Sequence, residues 1–226
     1  MRSSRSKPSA PSPAKPCVLL TGFDAFGGAS LNPSWLAVQA LDGEEVDGHT
    51  LVAAQLPTTF EGAQQALASL LKRHEPVLVV CVGQAGGRSA LSMERIAINI
   101  NDARIADNAG QRPIDAPVVA GGPAAFFSTL PIKAMLRALQ QAGVAAEVSQ
   151  TAGTFVCNHV FYGLMHALAT QARFKRTRGG FMHVPYVPDQ GTPNMLLADM
   201  VRGLRLAVAC ALTTPVDIAQ SAGAIS

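Results

Sequence analysis

VLVVCVGQAGGR, Val77 to Arg88, joins six apolar residues to a glycine-rich loop. An apolar run with no polar alternation reads as a strand covered on both faces, as in a parallel sheet flanked by helices. Pro76 stops the segment before it, and Gly83 to Gly87 makes a tight turn at its carboxyl end. Working outward, Cys17 to Thr21 is a second short apolar strand, followed by the loop GFDAFGGASLNPS. Asn32-Pro33-Ser34 then opens a helix, with Ser34 as the expected cap and Trp35, Val38 and Leu41 on one face. Leu51 to Leu56 reads as a strand, Phe60 to His74 as a helix, and Glu94 to Ile100 alternates like a strand. Asn101 to Pro117 is a long irregular loop, and Pro123 to Leu130 is expected to hold a short turn of helix. Ile132 to Ala142 is a helix closed by Gly143, Ala145 to Ser149 a strand, and Thr151 to Thr154 a turn. Phe161, Leu164, Met165 and Leu168 then form one helical stripe, with Cys157 at its start. Gly180 to Val187 is a late strand, and Met195 to Leu212 closes the chain as a helix.

Strands alternating with helices predict one α/β domain with a mostly parallel twisted sheet covered on both faces. Ligands of such sheets sit beyond the carboxyl ends of the strands. GFDAFGG, GQAGGR, the turn before Cys157, and HVPYVPDQ are expected to meet there. At 226 residues, 48% apolar and 15% charged, the chain can bury a sizeable core and needs no second domain.

The formal charge of +3 comes from a tail: Arg2, Arg5, Lys7 and Lys15 precede any acid, leaving 14 basic and 15 acidic residues in the body. The pI of about 8.8 is therefore no sign of nucleic-acid binding. Residues 1–15 read as a disordered, basic, Ser/Pro-rich tail, 16–213 as the catalytic domain, and 214–226 as a poorly ordered tail. No apolar run reaches the roughly 20 residues of a membrane span, and no secretory leader is recognisable, so a cytoplasmic protein is expected. Cys17, Cys81, Cys157 and Cys210 are widely spaced without a CxxC pair or zinc-like cluster, which fits free thiols in a reducing compartment.

A thiol at a helix start feels the positive end of the macrodipole, which favours thiolate. The competing reading of Cys157 is a small buried hydrophobe. A cysteine nucleophile needs a base, usually oriented by a third group. His159 lies two helical steps away, on nearly the opposite face, and His166 is too far along the helix. His49 and His74 suit structural roles. His183, on the late strand, is expected at the carboxyl rim. For the orienting acid, Glu94, Asp102, Asp107 and Asp24 remain open. GQAGGR resembles an anion cradle but matches neither GxGxxG nor GxxxxGK[ST]. Phe23 and Phe26, three apart on a loop, would be odd as exposed rings unless they line a pocket.

LLTGFDAFGG with LNPSW, CVGQAGGR followed by ERIAIN, ARIADN, GGPAAFFSTLPI, TAGTFVCNH and GFMHVPYVPDQ occur in one order. Together, over about residues 17 to 212, they resemble the type I pyroglutamyl peptidases (pyrrolidone-carboxylate peptidases), cysteine exopeptidases that remove N-terminal pyroglutamate. The resemblance implies a three-layer α/β/α sandwich, often a homotetramer, that needs no metal or other cofactor. It implies Cys157 as nucleophile, His183 as base and Glu94 as the orienting acid. It places Phe23, Phe26, Gln84, Ile105, Phe155 and Val156 around the pyrrolidone ring, with Arg104 close by. Gln150, where the family more often has Asn or Tyr, and the long N-terminal tail depart from the pattern. Two rivals are a phosphate-using α/β enzyme built on GQAGGR and a module that binds pyroglutamyl ends without cleaving them.

Overall fold

The computed structural model describes residues 15–223; the expected N-terminal tail up to residue 14, and residues 224–226, lie outside the described residues. In chain order the elements are β1 (Cys17–Phe23), α1 (Pro33–Gln39), β2 (Glu45–Val46), β3 (His49–Leu56), α2 (Phe60–His74), β4 (Leu78–Gln84) and β5 (Leu91–Glu94). There follow β6 (Ile96–Ile98), β7 (Ala125–Phe127), α3 (Ile132–Gln141), β8 (Ala146–Ser149), α4 (Val156–Thr170), β9 (Arg178–Val184) and α5 (Leu197–Thr213). Seven strands form one sheet in the order β2-β3-β1-β4-β9-β5-β8, and β6 pairs with β7 separately.

The two-residue period of the strands sorts the core into two layers. Val18, Leu20, Val80, Val82, Met182 and Val184 face α1, α3 and α5, packing with Val38, Met135, Leu139, Leu204 and Val208. Leu19, Val79, Cys81 and Phe181 face α2 and α4, packing with Ala63, Leu67, Val160, Phe161 and Leu164. Strand β4 is buried on both sides, as its unbroken apolar run requires. The architecture is the expected α/β/α sandwich, and each fully buried Val, Leu or Phe contributes roughly 1.5–3 kcal/mol by leaving water.

Directions within the sheet place the site. β3, β1, β4 and β9 are parallel neighbours, whereas β5 pairs antiparallel to β9 and parallel to β8. Three of the four loops expected at one rim therefore leave strands that point the same way. The fourth follows β8, which runs the other way, and Gln150 to Phe155 turns the chain back. Cys157 at the start of α4 then lies against Gly83 at the end of β4, while Leu164 and Leu168 pack over Gly179 at the start of β9.

Local departures have local causes. The alternating stretch Glu94 to Ile100 is two strands, because the chain changes sheets at Arg95 without breaking its period. Pro123 to Leu130 holds β7 rather than a helical turn; Ala125–Phe127 pairs with Ile96–Ile98. Helix α1 is capped by Asn32, whose Oδ1 accepts from Ser34 N, with Pro33 in the first turn. Ser34 Oγ instead accepts from Phe23 N, stitching the helix to β1. Residues 214–223, expected as a loose tail, are tied to the body. Asp217 accepts from the backbone N–H of Lys133 and Ala134 at the start of α3, and Ala222 O accepts from Arg95.

Candidate active site

Glu94 ends β5 opposite Phe181, and His183 lies two residues further along β9 on the same face. That diagonal brings His183 Nδ1 to 2.7 Å from Glu94 Oε1. Both side chains are buried, Glu94 fully and His183 to 4% exposure. Burial works to raise the Glu94 pKa, but hydrogen bonds and charge from His183, with help from Ser149 and Arg88, outweigh it and hold the carboxyl below its ordinary range. A carboxylate can only accept, so Nδ1 of His183 carries a proton, and in the neutral ring Nε2 is left with a lone pair.

His183 pairs in register with Gly83 across β4 and β9. The Cys157 thiol sits over that glycine: a Cβ added there would lie 2.8 Å from Sγ and 2.9 Å from Phe181 Cζ. Thiol and imidazole thus flank one backbone position. Cys157 is the second residue of α4, and no side chain caps that helix start. Its first amides are consequently free of intrahelical partners.

The dipole expectation for the thiol is reversed. Burial pushes Cys157 up to about 12, the nearby Glu94 carboxylate adds to the rise, and Arg88 pulls the other way. A helix dipole is worth about 0.3–1 kcal/mol at an exposed end, less than burial imposes here. Burial therefore favours the thiol over the thiolate. Cys81 is likewise pushed up to about 12 by burial, and Cys17 and Cys210 are raised for the same reason.

Of the four acids left open by the sequence, Glu94 is the one bonded to His183. Asp24 Oδ1 accepts from Thr58 N, and Asp107 accepts from the backbone of Phe60, Ala109 and Gln111. Asp102 lines a cavity of about 450 Å³ together with Phe26, Arg104, Ile105, Gly153, Thr154 and Phe155. A second cavity, of about 540 Å³, shares Phe26 and Ile105 and adds Gln84, Tyr186, Asp189 and Gln190. Phe155 packs edge-on against Phe60 at 5.4 Å and faces Phe26 at 6.1 Å. Phe23 is not on a loop: it ends β1, is 2% exposed, and packs against Phe181, whose ring touches His183. Val156, the first residue of α4, is fully buried in the core.

The remaining histidines lie elsewhere. His159 Nδ1 is 3.1 Å from Asn101 Oδ1 and its ring meets Phe60 edge-on. His166 stacks on Tyr162, His49 Nδ1 lies 2.8 Å from Asp47 O, and His74 ends α2, where its carbonyl accepts from Cys17 Sγ. The glycines of GQAGGR have local reasons: a Cβ on Gly86 would overlap the Tyr186 phenol, and Gly87 turns the chain at φ +84°. Reading that loop as a phosphate cradle overlooked its last residue. Arg88 Nη1 donates to Glu94 Oε1 at 2.7 Å. Its only sequence signal was a position six residues before Glu94, across a tight turn.

The family described as pyroglutamyl peptidase matches residues 16–214. The chain is 57% identical over 213 residues to a pyrrolidone-carboxylate peptidase of Cupriavidus taiwanensis, covering 92% of this chain and 98% of that one. A Bacillus cereus protein of the same name is 49% identical over 212 residues, with the same coverages. The crystal structure of pyroglutamyl peptidase I from Bacillus amyloliquefaciens superposes with a TM-score of 0.89 at 43% identity, over 92% of this chain and 100% of that one. Pyrrolidone carboxyl peptidase from Thermococcus litoralis gives 0.84 at 34% identity, over 88% and 94%. With most of its length matched in sequence and in fold, the chain belongs to the pyroglutamyl peptidase family.

Proposed function

We propose that this protein is a thiol exopeptidase that hydrolyses the amide bond after an N-terminal pyroglutamyl (5-oxoprolyl) residue and releases pyroglutamate. The observation that carries the reading is the His183–Glu94 hydrogen bond of 2.7 Å beside a thiol seated over Gly83. Nε2 of His183 takes the Cys157 proton as sulfur adds to the scissile carbonyl, giving a tetrahedral intermediate. Glu94 holds the tautomer and stabilises the imidazolium that forms. The uncapped amides at the start of α4 take the oxyanion, each worth roughly 3 kcal/mol of transition-state stabilisation, with Arg104 as a second donor. Collapse breaks the C–N bond, His183 protonates the leaving amine, and an acyl-enzyme remains on Cys157. Water, deprotonated by His183, then releases the pyroglutamate and restores the thiol.

The upward push on the Cys157 thiol favours His183 acting as a general base during attack over a standing thiolate–imidazolium pair. The lactam is flat and uncharged, and Phe26, Ile105 and Phe155 offer an apolar wall for it, with Gln84 at the border of the adjoining cavity. Against that apolar wall a free α-amino group loses hydration, and Asp102, which lines the same cavity, is the carboxylate available to offset the loss. Phe23 and Val156 shape that wall from behind. We place the catalytic unit at residues 16–213 and infer a cytoplasmic homotetramer working without metal; the four cysteines are free, and no helix among the described residues is long and apolar enough to cross a membrane. Light scattering in solution tests the tetramer.

A fluorogenic pyroglutamyl amide tests the chemistry. Hydrolysis is expected without added phosphate, abolished by iodoacetamide and by Cys157→Ser, and retained in Cys17→Ser, Cys81→Ser and Cys210→Ser. Robust turnover by Cys157→Ser, or turnover that requires phosphate, sinks the mechanism; binding without release supports the recognition module instead.

A further inference from the structure

Glu94 has no exposed surface, yet both of its strong bonds converge on one oxygen. Oε1 accepts from His183 and from Arg88, each at 2.7 Å, while Oε2 is buried with no hydrogen-bond partner. A buried carboxylate without a countercharge takes up a proton. His183 carries a positive charge only when protonated, whereas a guanidinium always does. Arg95, next in the chain, is turned away to Gln150 and Ala222. Arg104 faces the cavity beside Phe155. The cation in contact with Glu94 is Arg88.

The same guanidinium has a second anchor. Arg88 Nη2 donates to Thr151 O at 3.3 Å, in the turn that leads into α4 and Cys157. One planar fork therefore spans the acid on β5 and the turn before the nucleophile, a task that suits arginine and not lysine. The groups facing Glu94 are Arg88 from the loop after β4, His183 from β9, the Ser149 hydroxyl from β8 and Cys157 from α4. Arg88 is the permanent positive charge among them.

We propose that Arg88 is a positioning residue of the reaction, keeping Glu94 ionised and aimed at His183 while fixing the turn that carries Cys157. With Arg88 in place, Glu94 keeps its countercharge whether or not the imidazole is protonated. Proton transfer then creates an imidazolium between two anions, the carboxylate and the thiolate, with Arg88 still balancing the former. Without it, Glu94 gains a proton or turns from His183, and the base loses its orientation.

This inference rests on the peptidase reading, and its test separates the two. Wild-type hydrolysis of a fluorogenic pyroglutamyl amide reads the activity. Arg88→Gln and Arg88→Lys read the inference, through kcat, KM and the pH dependence of inactivation by iodoacetamide, which needs no substrate. Arg88→Gln is expected to lower kcat by roughly 10- to 100-fold, the scale of a lost charge-assisted hydrogen bond, to leave KM nearly unchanged, and to move the alkylation midpoint to higher pH. Arg88→Lys keeps the charge but not the fork, so its alkylation midpoint stays near wild type and kcat recovers in part. If Arg88→Gln fails to fold, Arg88→Lys decides, by a reduced kcat with an unmoved midpoint. Wild-type kcat and alkylation in folded Arg88→Gln overturn the proposal. So does a loss of kcat with an unmoved midpoint in Arg88→Gln and no recovery in Arg88→Lys, the signature of a merely structural side chain.

Discussion

Gly83→Ala tests the central geometry with a single methyl group. The added Cβ would lie 2.8 Å from Cys157 Sγ, 2.9 Å from Phe181 Cζ and 3.0 Å from Phe181 Cε1. Ordinary carbon contacts fall at about 3.5–4.0 Å, so the overlap is roughly half an ångström or more on two sides. Phe181 cannot yield, being fully buried with its ring 5.8 Å from Phe161 and 4.9 Å from His183. The thiol, or the whole start of α4, must move. Overpacking of this kind costs about 1–3 kcal/mol, which for a domain of this size lowers Tm by roughly 3–10 °C. The larger effect is on chemistry, since a displacement of about 1 Å at the reacting atom costs on the order of 100-fold in rate. Gly179→Ala is the control at the far end of the same interface, where the new Cβ would meet only the Leu168 and Leu164 side-chain tips at 3.0 and 3.2 Å and the Val79 carbonyl at 3.2 Å. Measured as kcat/KM on a pyroglutamyl amide, iodoacetamide inactivation and thermal melting, Gly83→Ala is expected to lose activity far beyond its loss of stability. Gly179→Ala should lose only stability. Activity of Gly83→Ala within about threefold of wild type, with an unchanged alkylation rate, would refute the placement of the thiol over β4.

His159 makes the fold acid-sensitive. Burial lowers its pKa from 6.5 to about 4, so between those values the unfolded chain binds a proton that the folded chain refuses. Stability therefore falls as pH drops through that window, by up to roughly 3 kcal/mol. His159→Gln should flatten this part of the curve in urea unfolding at pH 7 and 4.5, and identical pH dependence in both proteins would remove the argument. Asp107 accepts three backbone N–H bonds at 2.8–2.9 Å, one of them from Phe60 at the otherwise uncapped start of α2. Asp107→Ala is expected to cost about 2–4 kcal/mol and, by loosening the loop that carries Arg104 and Ile105, to raise KM more than it lowers kcat. Unchanged stability and KM would show that the loop holds itself.

The three-layer fold was legible because β4 opens on an unbroken apolar run, Leu78 to Val82, and the helices have their own period. The separation of β5 from β6 was hidden, since Glu94 to Ile100 keeps a period of two through the bend and a change of pairing partner leaves no mark on alternation. The reversed direction of β5 and β8 was hidden as well, because strands alternate with helices in either orientation. Helix geometry sufficed to set aside His159, whose ring turns to Asn101. It could not choose among four carboxylates, a choice that depends on the antiparallel register placing Glu94 diagonally from His183. Arg88 escaped notice because a loop rich in glycine draws attention to its backbone, whereas the group that matters there is a side chain reaching back to β5.

The enclosure that raises the Cys157 thiol also supports selection of the substrate, and the two effects share one cause. Phe155 and Cys157 pack against one apolar cluster that holds Val156 and Phe181, and Phe155 also walls a cleft with Phe26 and Ile105; that apolar side is poor at solvating charge. It disfavours a thiolate at rest as it disfavours an incoming ammonium, and both penalties would weaken together if the wall were opened. A charged nucleophile is needed only during attack, and at that moment the imidazolium, the amides of α4 and the Glu94–Arg88 pair supply the balance that water does not. A polar residue at Phe155 should therefore lower the thiol pKa and admit free amino termini more readily while losing turnover on the lactam, because preorganised charge is worth less once water shares the site.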